Sequence, residues 1–203
     1  MALIDCYMPV FVKVLEVTSK PEVYFNYEQT RLCIISQLEK ATLAAYLEDI
    51  YEEERLSARF AVIVWIDEAI MCSTLSWRKS WKNELLQREY LNTTIGGELF
   101  FTKLSGLLSN YIQARDVFLF CLQNGFHGRY SASSEYSELQ NIILQQRRLC
   151  LPEKWRVWPN NGMITPGNIK RKDARKLKLS PVFFITLALL LLYAALFIIL
   201  LYY

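Results

Sequence analysis

Through most of the first 150 residues, apolar side chains recur at spacings of three and four, the signature of helices buried on one side. Leu32, Ile35, Leu38, Thr42 and Ala45 make one such stripe, and Pro21 ahead of it suits a first helical turn. Asp49, Glu52, Glu53 and Glu54 gather where the next helix begins; negative charge there complements a helix N-terminus, and a solvated acidic face is an equally good reading. From Arg55 to Cys72 the chain reads RLSARFAVIVWIDEAIMC, apolar on nearly every side after Arg59, which predicts a central helix surrounded by others. A polar stretch with WRKSW follows, then a segment from Asn83 to Leu91 and a turn from Asn92 to Gly97. Gly96 and Gly97 permit positive φ there, and Glu98 favours a helix start that continues through Phe100, Phe101, Leu104 and Leu108. Asp116 to Asn124 is a further helix that stops at Gly125, a left-handed C-terminal cap. Ser133 or Ser134 then caps a last helix whose Tyr136, Leu139 and Ile143 share a face. With no strand alternation and no repeat, the fold class is all-α, six to eight helices in antiparallel packing over residues 1–151.

Hydropathy changes the picture at the other end. Val182 to Leu201 carries no charge, and twenty helical residues span the roughly 30 Å of a bilayer's hydrocarbon. We therefore expect one C-terminal transmembrane helix over residues 182–201 and, with no signal peptide at the N-terminus, a tail-anchored protein. Residues 152–181 form a linker: PEKWRVWPNNGMITPGN holds three prolines and two glycines, and a basic cluster follows it. In that cluster Lys170, Arg171, Lys172, Arg175, Lys176 and Lys178 stand against one anion, Asp173, a local charge of +5 in a chain of net +3. Position beside a span accounts for these cations as membrane-surface residues on the cytoplasmic side, so no nucleic-acid partner is expected. Tyr202 and Tyr203 would sit at the far interface. Thr186, Ala188, Ala194 and Ala195, with the Tyr193 hydroxyl, could favour a homodimer through the span, although without GxxxG a simple lipid-facing anchor is as good a reading.

Catalytic chemistry is poorly provided for. Five widely spaced cysteines, Cys6, Cys33, Cys72, Cys121 and Cys150, fit neither a disulfide framework nor a zinc site. There is no phosphate-binding glycine loop, GxSxG, HExxH or CxxC, and a single histidine, His127, lies in a turn. We expect no enzyme, no cofactor and no metal. Two carboxylates, Asp67 and Glu68, interrupt the central helix. Neighbouring helical residues point about 100° apart, so they cannot form a side-by-side dyad. A buried carboxylate needs a partner, and a salt bridge to a cation such as Arg129 is one reading; a carboxylate edging a partner-binding cleft is the other. Trp77 and Trp81 are either core covering the end of the central helix or an aromatic and basic patch around Arg78 and Lys79.

WIDEAIMCSTLSWRKSWKNELL, LNTTIGGELFFTKL and FLFCLQNGFHGRY, in that order before an anchor, resemble the DotU/TssL family (IcmH/DotU) of bacterial secretion systems. The resemblance runs from about Arg59 to Leu151. It rests on Asp67 and Glu68, Trp77 and Trp81, Gly96, Gly97, Glu98, Phe100 and Phe101, and Gly125, Phe126, Gly128, Arg129 and Tyr130. It implies a non-enzymatic component of a type VI apparatus, with a relative in type IVB systems, built as a hook-like pair of small helical bundles. It further implies a single-pass protein of the bacterial inner membrane, its N-terminal domain in the cytoplasm and its C-terminus at the periplasmic face. The implied partners are a TssM/IcmF-type inner-membrane protein and cytoplasmic baseplate proteins, with Asp67 and Glu68 as contacts, and a partner for any cell-wall attachment. A tail-anchored regulator that binds an amphipathic helix in an apolar groove is the alternative; a membrane-tethered hydrolase would need a catalytic group that the sequence does not display.

Overall fold

The apolar run in the central helix dictates how everything else is arranged. In a computed structural model that describes residues 1–151, α3 (Glu52–Met71) buries eight consecutive residues, Phe60 to Asp67. A helix apolar all round must be covered all round. Its cover is α1 (Leu3–Ser19), α2 (Tyr27–Tyr46), the short α4 (Arg78–Asn83) and α5 (Leu86–Leu91), α6 (Gly96–Gly106) and α7 (Ile112–Gln123), each of which packs on α3. The last helix among the described residues, α8 (Tyr136–Cys150), lies on α7, and turns of 3-10 helix occupy Gly128–Tyr130 and Ser133–Glu135. Among the described residues these eight α-helices and two turns are the regular structure, and there is no strand. No helix among them is long and apolar enough to cross a membrane. The expected linker, the basic residues Lys170 to Lys178 and the span at 182–201 lie outside the described residues.

One continuous core joins these helices. Trp65 of α3 meets Phe11 of α1 edge to face with centroids 4.8 Å apart, and Phe11 meets Phe120 of α7 at 4.5 Å. Burying each large apolar side chain of this kind stabilises the fold by about 1.5–3 kcal/mol.

Four local expectations need correction. On α2 the buried stripe is Thr30, Ile34, Leu38, Ala41 and Ala45, whereas Leu32 is 68% exposed. Apolar residues sit on both sides of α2, so its periodicity admits two phases, and packing against α1 selects one. The helix also starts at Tyr27 rather than near Pro21, because the Asn26 carboxamide oxygen accepts from Gln29 N at 3.0 Å and caps it. At α8 the N-cap is Glu135, with no side-chain cap; the expected serine cap is not made, and Tyr136 is exposed while Leu139 is buried. Finally, α6 ends at Gly106, so Leu108 lies beyond it and is exposed.

The stop at Gly125 is as expected. With φ +86°, it lets its own N–H reach the Leu122 carbonyl and the Phe126 N–H reach that of Cys121, the paired bonds of a Schellman ending. This turn carries the chain from α7 to the site.

Candidate functional site

Asp67 and Glu68 diverge from α3 as consecutive helical positions must, and each is held by backbone amides rather than by a cation. Asp67 is 1% exposed. Its Oδ1 accepts from Trp81 Nε1 at 2.8 Å and from Leu86 N at 3.0 Å, and its Oδ2 accepts from Gln87 N at 2.8 Å. Leu86 and Gln87 open α5, whose N-cap, Leu85, has no side-chain acceptor to offer. Asp67 supplies the missing cap from another helix. Burial pushes its pKa up, and the Gln87, Trp81 and Leu86 hydrogen bonds resist that rise.

Glu68 turns the other way. Its Oε1 accepts from His127 N at 2.6 Å and its Oε2 from Gly128 N at 2.9 Å, so both oxygens hold the turn after α7. Its pKa is also raised, chiefly by burial, against the pull of those two amides. Unlike Asp67, its side chain remains 20% exposed, beside the His127 ring, whose Nδ1 lies 3.6 Å from Oε1. The salt bridge expected from Arg129 is not made. The Arg129 guanidinium instead lies over the Phe101 and Tyr130 rings and donates to the Tyr130 hydroxyl, which in turn donates to Glu138. Asp67 faces away from His127 and Glu68, and among the described residues no group of three His, Cys, Asp and Glu side chains is placed to hold a metal ion.

The other motif residues pack around these anchors. Trp81 is fully buried and Trp77 nearly so, its Nε1 donating to the Tyr24 carbonyl at 2.7 Å, so the core reading of both rings holds. Arg31 of α2 stacks on Trp81 and pairs with Glu89 at 2.8 Å. Phe100 packs at a tilt against Phe118 and Phe126, and Phe101 meets Tyr130 edge to face at 4.7 Å. Gly96 and Gly97 do not take positive φ. They are needed for close approach: a Cβ on Gly96 would strike the Gln87 carboxamide and Val64, and one on Gly97 would lie 3.1 Å from Gly128 Cα. Gly128 needs both freedoms, since its φ is +52° and a Cβ would stand 2.6 Å from the Gly97 carbonyl.

Sequence reasoning placed Glu54 at the start of α3 but missed that it caps another helix, and it missed Gln87 and Gln113; together they complete a pattern. Glu54, buried in the first turn of α3, accepts from Gln113 N at 2.8 Å and Ala114 N at 3.1 Å and so caps α7. The Gln113 side chain then accepts from Leu3 N at 2.9 Å, at the start of α1. At the other end of α3, Asp67 holds Gln87 N, and the Gln87 side chain accepts from Gly96 N at 2.9 Å, at the start of α6. Each relay runs from a carboxylate on α3 to a glutamine at the second position of one helix, and on to the first residue of another. The signal was available as an absence: Leu85, Ile95, Tyr111 and Ala2 precede helices without capping side chains.

The family model for "Type VI secretion system protein DotU" matches residues 2–203. This chain belongs to that family. Among solved structures, the cytoplasmic domain of TssL from Acinetobacter baumannii is similar at 23% identity with a TM-score of 0.66, covering 74% of this chain and 97% of that one. TssL from Vibrio cholerae is similar at 24% identity and a TM-score of 0.61, covering 73% and 94%. These likenesses establish a shared all-helical fold. No curated protein sequence matches the chain.

Proposed function

We propose that this protein is a single-pass scaffold of the bacterial inner membrane that links a TssM/IcmF-type membrane partner to the cytoplasmic baseplate of a type VI secretion system. Membership of the DotU family supports the system. The uncharged stretch from Val182 to Leu201 behind six cations supports an anchor with the helical domain on the cytoplasmic side, and small residues in that stretch support pairing of two copies. The observation that carries the site is the asymmetry of the acidic pair. Asp67 is enclosed and occupied by internal donors, whereas Glu68 keeps an exposed edge next to His127 and Arg129 on the turn it pins. We therefore assign partner contact to the Glu68 side of the pair and helix fixing to Asp67.

Recovery of the full-length protein from crosslinked native membranes, followed by mass spectrometry, tests the assignment. A multi-span inner-membrane protein and baseplate proteins are the expected companions. Recovery of neither would overturn the scaffold role, and protection of the N-terminal domain from protease on the cytoplasmic side would overturn the orientation.

A further inference from the structure

A second feature, apart from the acidic pair, has the chemistry of a binding site. A cavity of about 440 Å³ opens between α6, α7 and α8. Two guanidinium groups line it, Arg115 from α7 and Arg129 from the turn that Glu68 pins, and no acidic residue does. Arg115 donates to the Gln146 carboxamide oxygen at 2.9 Å and to the Leu107 carbonyl at 3.1 Å; among the described residues Arg129 donates only to the Tyr130 hydroxyl. Among the described residues neither arginine has a carboxylate within ion-pair distance, although arginine at such sites is well suited to one. Thr102 and Ser105 also line it, their hydroxyls donating to the Glu98 and Thr102 carbonyls of their own helix, and Leu104 and Ile142 add an apolar wall.

Two arginines that make no ion pair among the described residues, beside an apolar wall, complement a ligand that carries a carboxylate next to an apolar side chain. We propose that this cavity receives an acidic, apolar segment of a protein partner, with Arg115 and Arg129 recognising a carboxylate and Leu104 and Ile142 packing its apolar neighbour. The site does not depend on the role assigned to Glu68, which acts here only by fixing the turn that carries Arg129. Two charge-assisted contacts replaced by neutral ones should weaken binding by about tenfold or more.

The test measures fluorescence anisotropy of a labelled peptide EELFEELL and its amide counterpart QQLFQQLL against the full-length protein in lipid nanodiscs, with empty nanodiscs as the blank. The acidic peptide should bind at least about tenfold more tightly than the amide one, and less tightly as salt rises. Arg129→Gln should weaken it, and so should Gln145→Glu, which places a negative charge on an exposed position of the cavity lining and leaves the Arg115 contacts in place. Equal binding of the two peptides, no binding of the acidic one, or undiminished affinity in Gln145→Glu would overturn the proposal. Binding of inorganic phosphate without binding of the acidic peptide would assign the cavity to a small anion and overturn it as well.

Discussion

At the scale of single residues, the carboxylates of α3 act on backbone amides, and this sets what substitutions do. Asp67→Ala leaves the Trp81 indole N–H and two helix-opening amides without their acceptor in the core, and should cost about 2–4 kcal/mol in urea unfolding. Gly128→Ala meets both a positive φ and the Gly97 carbonyl, and should cost a similar amount, about 2–4 kcal/mol, with no loss of any side-chain contact. The pH dependence has a definite sign. Burial raises the pKa of Asp67 and of Glu68 above their ordinary values, so the folded state holds these protons more tightly than the unfolded chain. Their contribution to stability is present in full below the ordinary carboxylate range and is lost as pH rises through the raised values. Unfolding of Glu68→Gln and wild type across about pH 4 to 7 should show the wild type losing stability relative to the variant as pH rises. An opposite slope would mean that the two amides outweigh burial at Glu68.

At the scale of elements, α3 organises its neighbours by supplying the acceptors that their own N-termini lack. Glu54 starts α7, Asp67 starts α5 and Glu68 starts the 3-10 turn at Gly128, while Gln113 and Gln87 extend the first two relays to α1 and α6. Gln87→Ala should therefore cost about 1 kcal/mol and raise hydrogen exchange in the first turn of α6 before that of α1; Gln113→Ala should do the reverse. The helices themselves were legible in the sequence where one phase of burial was possible. The run from Phe60 to Ile66 could only be central, and Gly125 could only follow a helix. α2 was misphased because Leu32 and Ile34 offer rival stripes, and only the presence of α1 separates them. The missing caps were legible in the sequence, but which carboxylate supplies each was not, because the donors are backbone amides about 20 and 60 residues away from the carboxylates. Arg129 was the natural cation to expect beside a buried acid, but its two ring neighbours and the Tyr130 hydroxyl hold it elsewhere.

For the whole molecule, the proposed scaffold role ties the same anchors to assembly. The chain belongs to the type VI secretion system DotU family, and the scaffold role proposed above requires a rigid surface while large partners load it. On that proposal Glu68 serves both demands: its oxygens fix the turn, and its partly exposed edge lies beside His127. Substitution at Asp67 should lower the yield of folded protein without selecting among partners, whereas a change at the Glu68 surface should select. The most direct measurement is quantitative mass spectrometry of proteins recovered with the full-length chain from crosslinked native membranes, comparing wild type with His127→Glu. That substitution alters the charge beside Glu68 while keeping the His127 amide bond to it. Loss of the cytoplasmic baseplate set, with the multi-span membrane partner retained, is the predicted result. Unchanged recovery of both sets would contradict a partner contact at this edge.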